Sequence, residues 1–440
     1  MSPLARRFAR LVAPVGATLA VALAAGCGSS AGSGTPGRGE GPYAAPTKDT
    51  KATLTVSNWG DPVDKAVYDE VAKRFQQRYP DVEIKNNFTP ITTWSEYVNK
   101  LTTQVASGDA PDVINMGLEG VQLGLDKKLF ASLDGYLKRD PAGKDLAADI
   151  DRRLVSGFQK DGQTYLVPST WNTMVIYYNT KMFKDAGIDR PSDDWTWDDF
   201  LAIAKKLTKG SGGNKVYGFG LPYFNFGLTP WFYSNGTSEM SEDLKQATID
   251  DPAMVESVTW VRDLVTKHGV APQPKGADPY QLFPAGKVAM TGAGHWTVPM
   301  FKQAGFKDYD VLPWPKNKEK ATVYGSAGFG LYPGSKNPDL AWEFIKELTN
   351  ATTQQKWASI GSATPATKTA AGLPVFTAAP EHSDLYYGAI EYARPVAAPG
   401  VYNTLEPAVM RAMDSIMAGG DPRAELAKAN AEVKAALENQ

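Results

Sequence analysis

Between residues 52 and 117 short apolar runs alternate with stretches of helical period, and this alternation limits the fold more than any other feature of the chain. Leu54-Thr55-Val56 reads as a short buried strand. Asp61-Pro62 then opens a helix, because Asp suits the cap position and Pro the first turn. Val63, Ala66, Val67, Val71, Phe75 and Tyr79 recur at helical spacing until Pro80 ends the run. Asp81–Ile84 supplies a second strand, and Trp94, Tyr97, Leu101 and Val105 share one face of a second helix that stops at Gly108. Pro111–Ile114 supplies a third strand. Strand-helix-strand alternation is the signature of a parallel sheet covered by helices, so the fold class is α/β. Ligands on such sheets bind beyond the carboxyl ends of the strands. That rule points to Asn58-Trp59-Gly60-Asp61 and to Asn115-Met116-Gly117-Leu118-Glu119.

The pattern continues downstream. "MVIYYN", "VYGFGL" and "KVAMTGAG" read as strands, and "WTWDDFLAIAKKL" and "PAMVESVTWVRDLVTKHG" as helices, the first with acids at its start and the second with a glycine at its end. "VYGSAGFGLYP" and "DLAWEFIKELTN" repeat strand and helix, and Tyr402–Leu437 is largely helical with a break at Gly419-Gly420-Asp421-Pro422. A chain of this length past the N-terminal region predicts two or more domains.

The N-terminus reads as a targeting segment. Arg6, Arg7 and Arg10 precede an apolar run from Leu11 to Ala25, which has the length of a secretory signal core and is too short to span a bilayer. Ala24-Ala25-Gly26 places small residues before Cys27, the single cysteine in 440 residues. One cysteine forms no internal disulfide, and the Gly/Ser neighbours of Cys27 cannot bury it. Small residues before a cysteine after such a run resemble a bacterial lipobox, with Ala24 where Leu is commonest. The resemblance implies cleavage after residue 26 and a lipid on Cys27; plain secretion and an uncleaved anchor are the alternatives. Residues 27–50 are poor in large apolar groups and read as a flexible tether.

Composition narrows the function. The net charge is −2 and no basic stretch of the kind nucleic acid requires is present. The 11 Trp and 19 Tyr, without charge bias, favour a neutral ligand. The three histidines have no ligand spacing with one another, so no metal and no cofactor are expected. There is no nucleophile elbow and no phosphate-binding Gly-Lys-Ser/Thr loop, and no acid pair is singled out for glycoside cleavage.

Five segments together resemble a known family. "SGDAPDVINMG", "YLVPSTWNTMVIYYNTKMFKDAGI", "WTWDDF", "LFPAGKVAMTGAGHW" and "AWEFIKELT" come in the order of the extracellular solute-binding lipoproteins of bacterial ABC sugar importers, the family that includes maltose-binding protein. The resemblance covers roughly residues 52–438. It implies a two-lobe periplasmic-binding-protein-like fold, each lobe a mainly parallel sheet flanked by helices, with the ligand cleft between lobes. Lobe one would comprise 52–169 with 315–352, and lobe two 172–312 with 355–438. It also implies a non-enzymatic monomer that hands a neutral sugar or oligosaccharide to ABC permease subunits, held on the outer face of the cell membrane by the lipid on Cys27. A polyol, glycerophosphodiester or osmolyte is the alternative ligand class; a secreted glycan-active enzyme and an adhesin or signalling lipoprotein are further alternatives.

Aromatic rings stack on the C–H faces of a sugar, and amides and carboxylates pair with its hydroxyls. The candidates on that logic are Trp59, Asp61, Asn115, Trp171, Trp231 in the apparent loop "TPWFYSNG", Ser326 in a Gly-rich stretch and Arg394. By the resemblance, Met116 stands where maltose-binding protein has a Trp, Glu119 where it has an Asp that bonds hydroxyls, and Asn172 where it has an acid. Trp296 matches the family's sugar-stacking Trp. Trp195, Trp197, Trp260, Trp342 and Trp357 read as packing residues.

Overall fold

The computed structural model describes residues 42–90 and 94–439. The expected signal peptide, Cys27 and the first part of the expected tether lie outside the described residues.

The first strand, Ala52–Trp59, buries Leu54 and Val56 completely and runs parallel to Val82–Thr89 in register from Ala52 opposite Val82 to Trp59 opposite Thr89. Helix Pro62–Arg78 covers the sheet with Val67, Tyr68, Val71 and Phe75. Asp61 holds the cap position with its backbone, not its side chain. Its N–H donates to Asp64 Oδ2 at 2.9 Å. Helix Trp94–Ala106 leads to strand Val113–Gly117, which joins the first strand in parallel.

The sheet then changes direction. Its order is Thr364–Pro365, Leu166–Thr173, Thr322–Leu331, Val113–Gly117, Ala52–Trp59 and Val82–Thr89, with Ala393–Pro395 also pairing Thr322–Tyr324. Thr322–Leu331 is antiparallel to both of its main neighbours. Lobe one is therefore mixed. The second sheet has Val175–Asn179 at its centre, antiparallel to Met290–Ala293 and Tyr309–Leu312. Parallel contacts there are single bridges, Tyr217 to Val288 and Gly220 to Thr291. The mainly parallel sheet inferred from the sequence is thus limited to the first half of lobe one. Alternating periods identify strands and helices, but strand direction depends on the side from which the chain re-enters a sheet.

The two sheets meet at adjacent crossovers. Leu166–Thr173 passes through Met174 directly into Val175–Asn179. The returning strand lies beside it: Thr173 Oγ1 donates to Val323 O at 3.0 Å and Thr322 Oγ1 to Met174 O at 2.7 Å.

Two boundaries differ from the sequence reading. Helix Ala351–Ile360 packs on Pro62–Arg78 and Pro338–Thr349, and Thr364–Pro365 pairs with Thr170–Trp171 at the edge of the first sheet. Gln354 bridges them, donating to Ser169 O at 2.8 Å and accepting from Ala366 N–H at 2.9 Å. This segment stays with the first sheet beyond residue 355. The tether ends earlier than residue 50, because Tyr43 is docked. Its hydroxyl donates to Glu343 Oε1 at 3.0 Å and its ring meets Tyr136 edge-on at 5.7 Å.

Lobe two has its own aromatic core. Trp231 packs edge-on against Trp197, Phe200, Phe219 and Trp314, with Trp260 close by. The C-terminal helix Tyr402–Met417 packs on Pro422–Glu438, Pro252–Thr266 and Asn225–Ser234, and also reaches Trp94–Ala106 and Leu118–Asp126 of lobe one.

Candidate functional site

A cavity of about 660 Å³ opens between the two sheets beside the crossovers. Trp59, the last residue of the first strand, stands on its wall edge-on to Trp94, with ring centroids 4.4 Å apart. Its indole N–H is buried without a partner among the described residues. Tyr68 and Trp357 meet at 5.7 Å and extend the same wall. Trp171 lies in the crossover strand, 1% exposed, between Tyr324 and Tyr387, and its N–H also lacks a partner among the described residues.

Lobe two contributes Trp296, half-buried and flanked by Phe224, Phe226 and Tyr280 at 6.2–6.5 Å. Gly294 permits this placement: a Cβ there would fall 2.0 Å from the Trp296 ring. The turn is further pinned by Tyr177 Oη, which donates to Gly294 O at 2.9 Å. The His295 N–H donates to Asn172 Oδ1 at 3.0 Å, tying the crossover to the Trp296 turn. The His295 ring lies 2.6 Å from Gly361 O through Nδ1, and burial lowers its pKa to about 4, so it is a neutral structural imidazole.

Four carboxylates line the cavity: Asp61, Asp64, Glu119 and Glu406. No Lys, Arg or His is among the described residues that line it. Glu119 is 7% exposed at the start of helix Leu118–Asp126. Burial, with the Glu406 charge adding to it, pushes its pKa up to about 8, against the bond from its own backbone N–H. Burial likewise raises Glu406 and Asp64. Asp64 is already engaged, accepting from Asp61 N–H and from the Ser362 hydroxyl at 2.8 Å. Gly325 brings the returning strand close to both walls: a Cβ there would lie 3.1 Å from the Phe226 ring and 3.4 Å from Glu119 Oε1.

Of the candidates read from the sequence, Trp59, Asp61, Glu119, Trp171, Asn172, Trp296 and Ser326 line the cavity. Ser326 does so with a committed hydroxyl, donating to Thr170 O at 3.0 Å, and the Gly325–Ala327 backbone pairs with Thr170–Asn172. That stretch is a paired strand, not an open cradle of N–H groups.

Asn115, Met116, Trp231 and Arg394 are placed elsewhere. Both faces of strand Val113–Gly117 are buried, so lying near its carboxyl end does not put a side chain in the cleft. Asn115 Nδ2 donates to the Tyr68 hydroxyl at 3.0 Å, and Met116 is fully buried against Gly120. The apparent loop around Trp231 is helix Asn225–Ser234, which turns Trp231 into the lobe-two core. Arg394 pairs with Glu319 at 2.6 Å on the surface.

Sequence reasoning missed Tyr68, Trp94, Phe226, Tyr402 and Glu406, and assigned Trp357 to packing alone. Tyr68, Trp94 and Trp357 lie in helices with part of each ring in the core, and a helical stripe carries no mark of a cavity at its edge. Asp310, Glu381 and His382 come together outside the cleft. The Asp310 oxygens are occupied there by the Tyr178 hydroxyl, His382 N–H and His382 Nδ1.

Two lobes joined by paired crossovers, with an aromatic cavity at the hinge, define a cleft-type solute-binding protein. Residues 70–383 match the family described as bacterial extracellular solute-binding protein, and the chain belongs to that family. It is 26% identical over 344 residues to the multiple sugar-binding protein of Streptococcus mutans, covering 74% of this chain and 77% of that one. It is 24% identical over 300 residues to the arabinooligosaccharide-binding protein of Bacillus subtilis, covering 63% and 65%. Among solved structures, an ABC substrate-binding protein of Listeria monocytogenes in complex with cycloalternan superposes with a TM-score of 0.79 at 27% identity, over 88% of this chain and all of that one. Among the described residues no helix is long and apolar enough to cross a membrane.

Proposed function

We propose that this protein captures a sugar or oligosaccharide in the cleft and presents it to an ABC permease for uptake. The observation that supports this reading is that Trp59, Trp171 and Trp296 line one cavity together with Asn172 and Glu119. Flat rings match the C–H faces of a pyranose, and an amide and a carboxyl match its hydroxyls. Relatives with named ligands bind saccharides, which supports the same class here. A ligand that touches both walls favours the closed arrangement of the lobes over the open one, and that difference is the signal a permease reads.

The lobes are divided at the crossovers near Met174 and at the return into Thr322–Leu331. The lipid on Cys27 would hold the protein at the membrane, with the chain reaching lobe one near Tyr43. A glycerophosphodiester is disfavoured, since among the described residues no cationic side chain lines the cavity to meet a phosphate.

The test is a titration of the purified protein with mono-, di- and oligosaccharides, read by tryptophan fluorescence and melting temperature. Saturable binding by one saccharide class, lost in Trp296→Ala with the fold retained, supports the reading. Absence of any response across the panel, with a response to polyols, would replace it.

A further inference from the structure

The charge of the cleft goes beyond what saccharide capture requires. Among the described residues, all the formally charged side chains that line it are carboxylates. Asp61 and Asp64 come from the first turn of helix Pro62–Arg78, Glu119 from the first turn of Leu118–Asp126, and Glu406 from the first turns of Tyr402–Met417. The titratable groups that join them on the wall are the phenols of Tyr68 and Tyr402, so no facing element among the described residues supplies a positive partner. Glu119 is more than nine-tenths buried, lines the cavity, and has no side-chain partner among the described residues; it accepts only from its own backbone N–H.

Glu119 and Glu406 also belong to different parts of the molecule. Glu119 sits on a lobe-one helix, and Glu406 on the C-terminal helix that packs mainly on lobe two. Two like charges drawn together across a closing, water-poor cleft repel one another. A neutral ligand relieves that repulsion only by leaving a carboxyl protonated. A ligand cation between the two carboxylates removes it and gains two charge-assisted hydrogen bonds. The aromatic wall suits the same ligand, because the faces of Trp59, Trp296, Phe226 and Tyr402 attract a cation as well as the C–H face of a sugar.

We propose that the cleft is selective for a saccharide bearing a protonated amine, such as an unacetylated amino sugar, with the ammonium held between Glu119 and Glu406. This rests on the saccharide-binding reading above and narrows it from neutral sugars to cationic ones. Because the empty site holds a proton on Glu119 in neutral solution, binding of the ammonium form releases that proton to solvent. No bond other than N–H···O and O–H is made or broken.

The experiment uses matched sugars that differ at one substituent: amine, hydroxyl, N-acetyl and carboxylate members of the same monosaccharide and of its di- and trimers. Isothermal titration is run on the purified protein in two buffers of different ionisation enthalpy. The expected result is that the amine member binds at least tenfold more tightly than its hydroxyl partner, with a heat that changes with the buffer. Glu119→Gln and Glu406→Gln should each bring the ratio of amine to hydroxyl affinity toward one, whatever either variant does to overall affinity. Equal or tighter binding of the hydroxyl, N-acetyl or carboxylate member overturns the proposal and leaves saccharide capture standing. Failure of every member to bind removes both. If Glu119→Gln does not fold, the wild-type preference, the buffer dependence and Glu406→Gln still decide.

Discussion

Replacing Glu119 by Gln is expected to stabilise the ligand-free protein in neutral and alkaline solution and to leave it nearly unchanged in mild acid. The carboxyl has an ordinary pKa of 4.5 and is raised by burial and by Glu406 to about 8 in the folded chain. The folded state therefore binds the proton more tightly than the unfolded one, and stability falls as pH rises between those two values. The loss begins above the unfolded pKa and is complete above the folded one. Its full size is roughly 5 kcal/mol, with about 3 kcal/mol present near pH 7 and less than about 1 kcal/mol near pH 5. Glutamine keeps the shape and carries no charge, so it escapes this cost at every pH. With about 2 cal/mol/K of unfolding entropy per residue, a chain of this size melts about 1 °C higher per kcal/mol. The variant should then melt about 4–6 °C above the parent near pH 8.5 and within about 1 °C of it near pH 5. Calorimetry of both proteins at the two pH values is the assay. Taking the difference at each pH cancels the parallel contributions of Asp64 and Glu239, which burial also raises, and keeps only the part of the Glu406 contribution that depends on Glu119. A gap that is the same at both pH values, or larger in acid, would refute the assignment of a buried, proton-holding carboxyl to the cleft.

Gly294→Ala should weaken saccharide binding at least tenfold although every residue of the cavity wall keeps its identity, because the new Cβ would fall 2.0 Å from the Trp296 ring and displace it. The overpacking itself should cost about 1–3 kcal/mol, so a fluorescence titration of the folded variant separates the two effects. Trp231→Ala should do the reverse: a loss of about 3–5 kcal/mol in denaturant unfolding as the lobe-two core is emptied, with affinity preserved where the variant is folded. Arg394→Ala removes a surface pair with Glu319 and should change stability by less than about 1 kcal/mol and affinity not at all, measured by melting and titration.

The first lobe was readable because its rules are local. The strands and helices between Ala52 and Gly117 follow from apolar period, a capping position at Asp61 and breaks at Pro80 and Gly108. Trp59 and Asp61 were readable as cleft residues for the same reason, since a turn beyond a strand end is exposed to a ligand by geometry. Trp296 came from its family setting after an Ala-Met strand. Trp231 misled because Pro230 and the nearby glycines look like loop punctuation, while the surrounding aromatic core holds those residues in a helix. Asn115 and Met116 misled because position along a strand does not reveal that both of its faces are covered.

What the sequence determined by itself was therefore the succession of elements, the α/β class and part of the aromatic wall. Only the tertiary structure decided the direction of the strands in lobe two, the docking of Tyr43, and the sharing of one cavity by Glu119 and Glu406. Periodicity and capping act within a few residues of chain, so they can be read along it. Which carboxylates share a cavity, and whether a cation shares it with them, depends on how distant segments pack, and no local pattern records that.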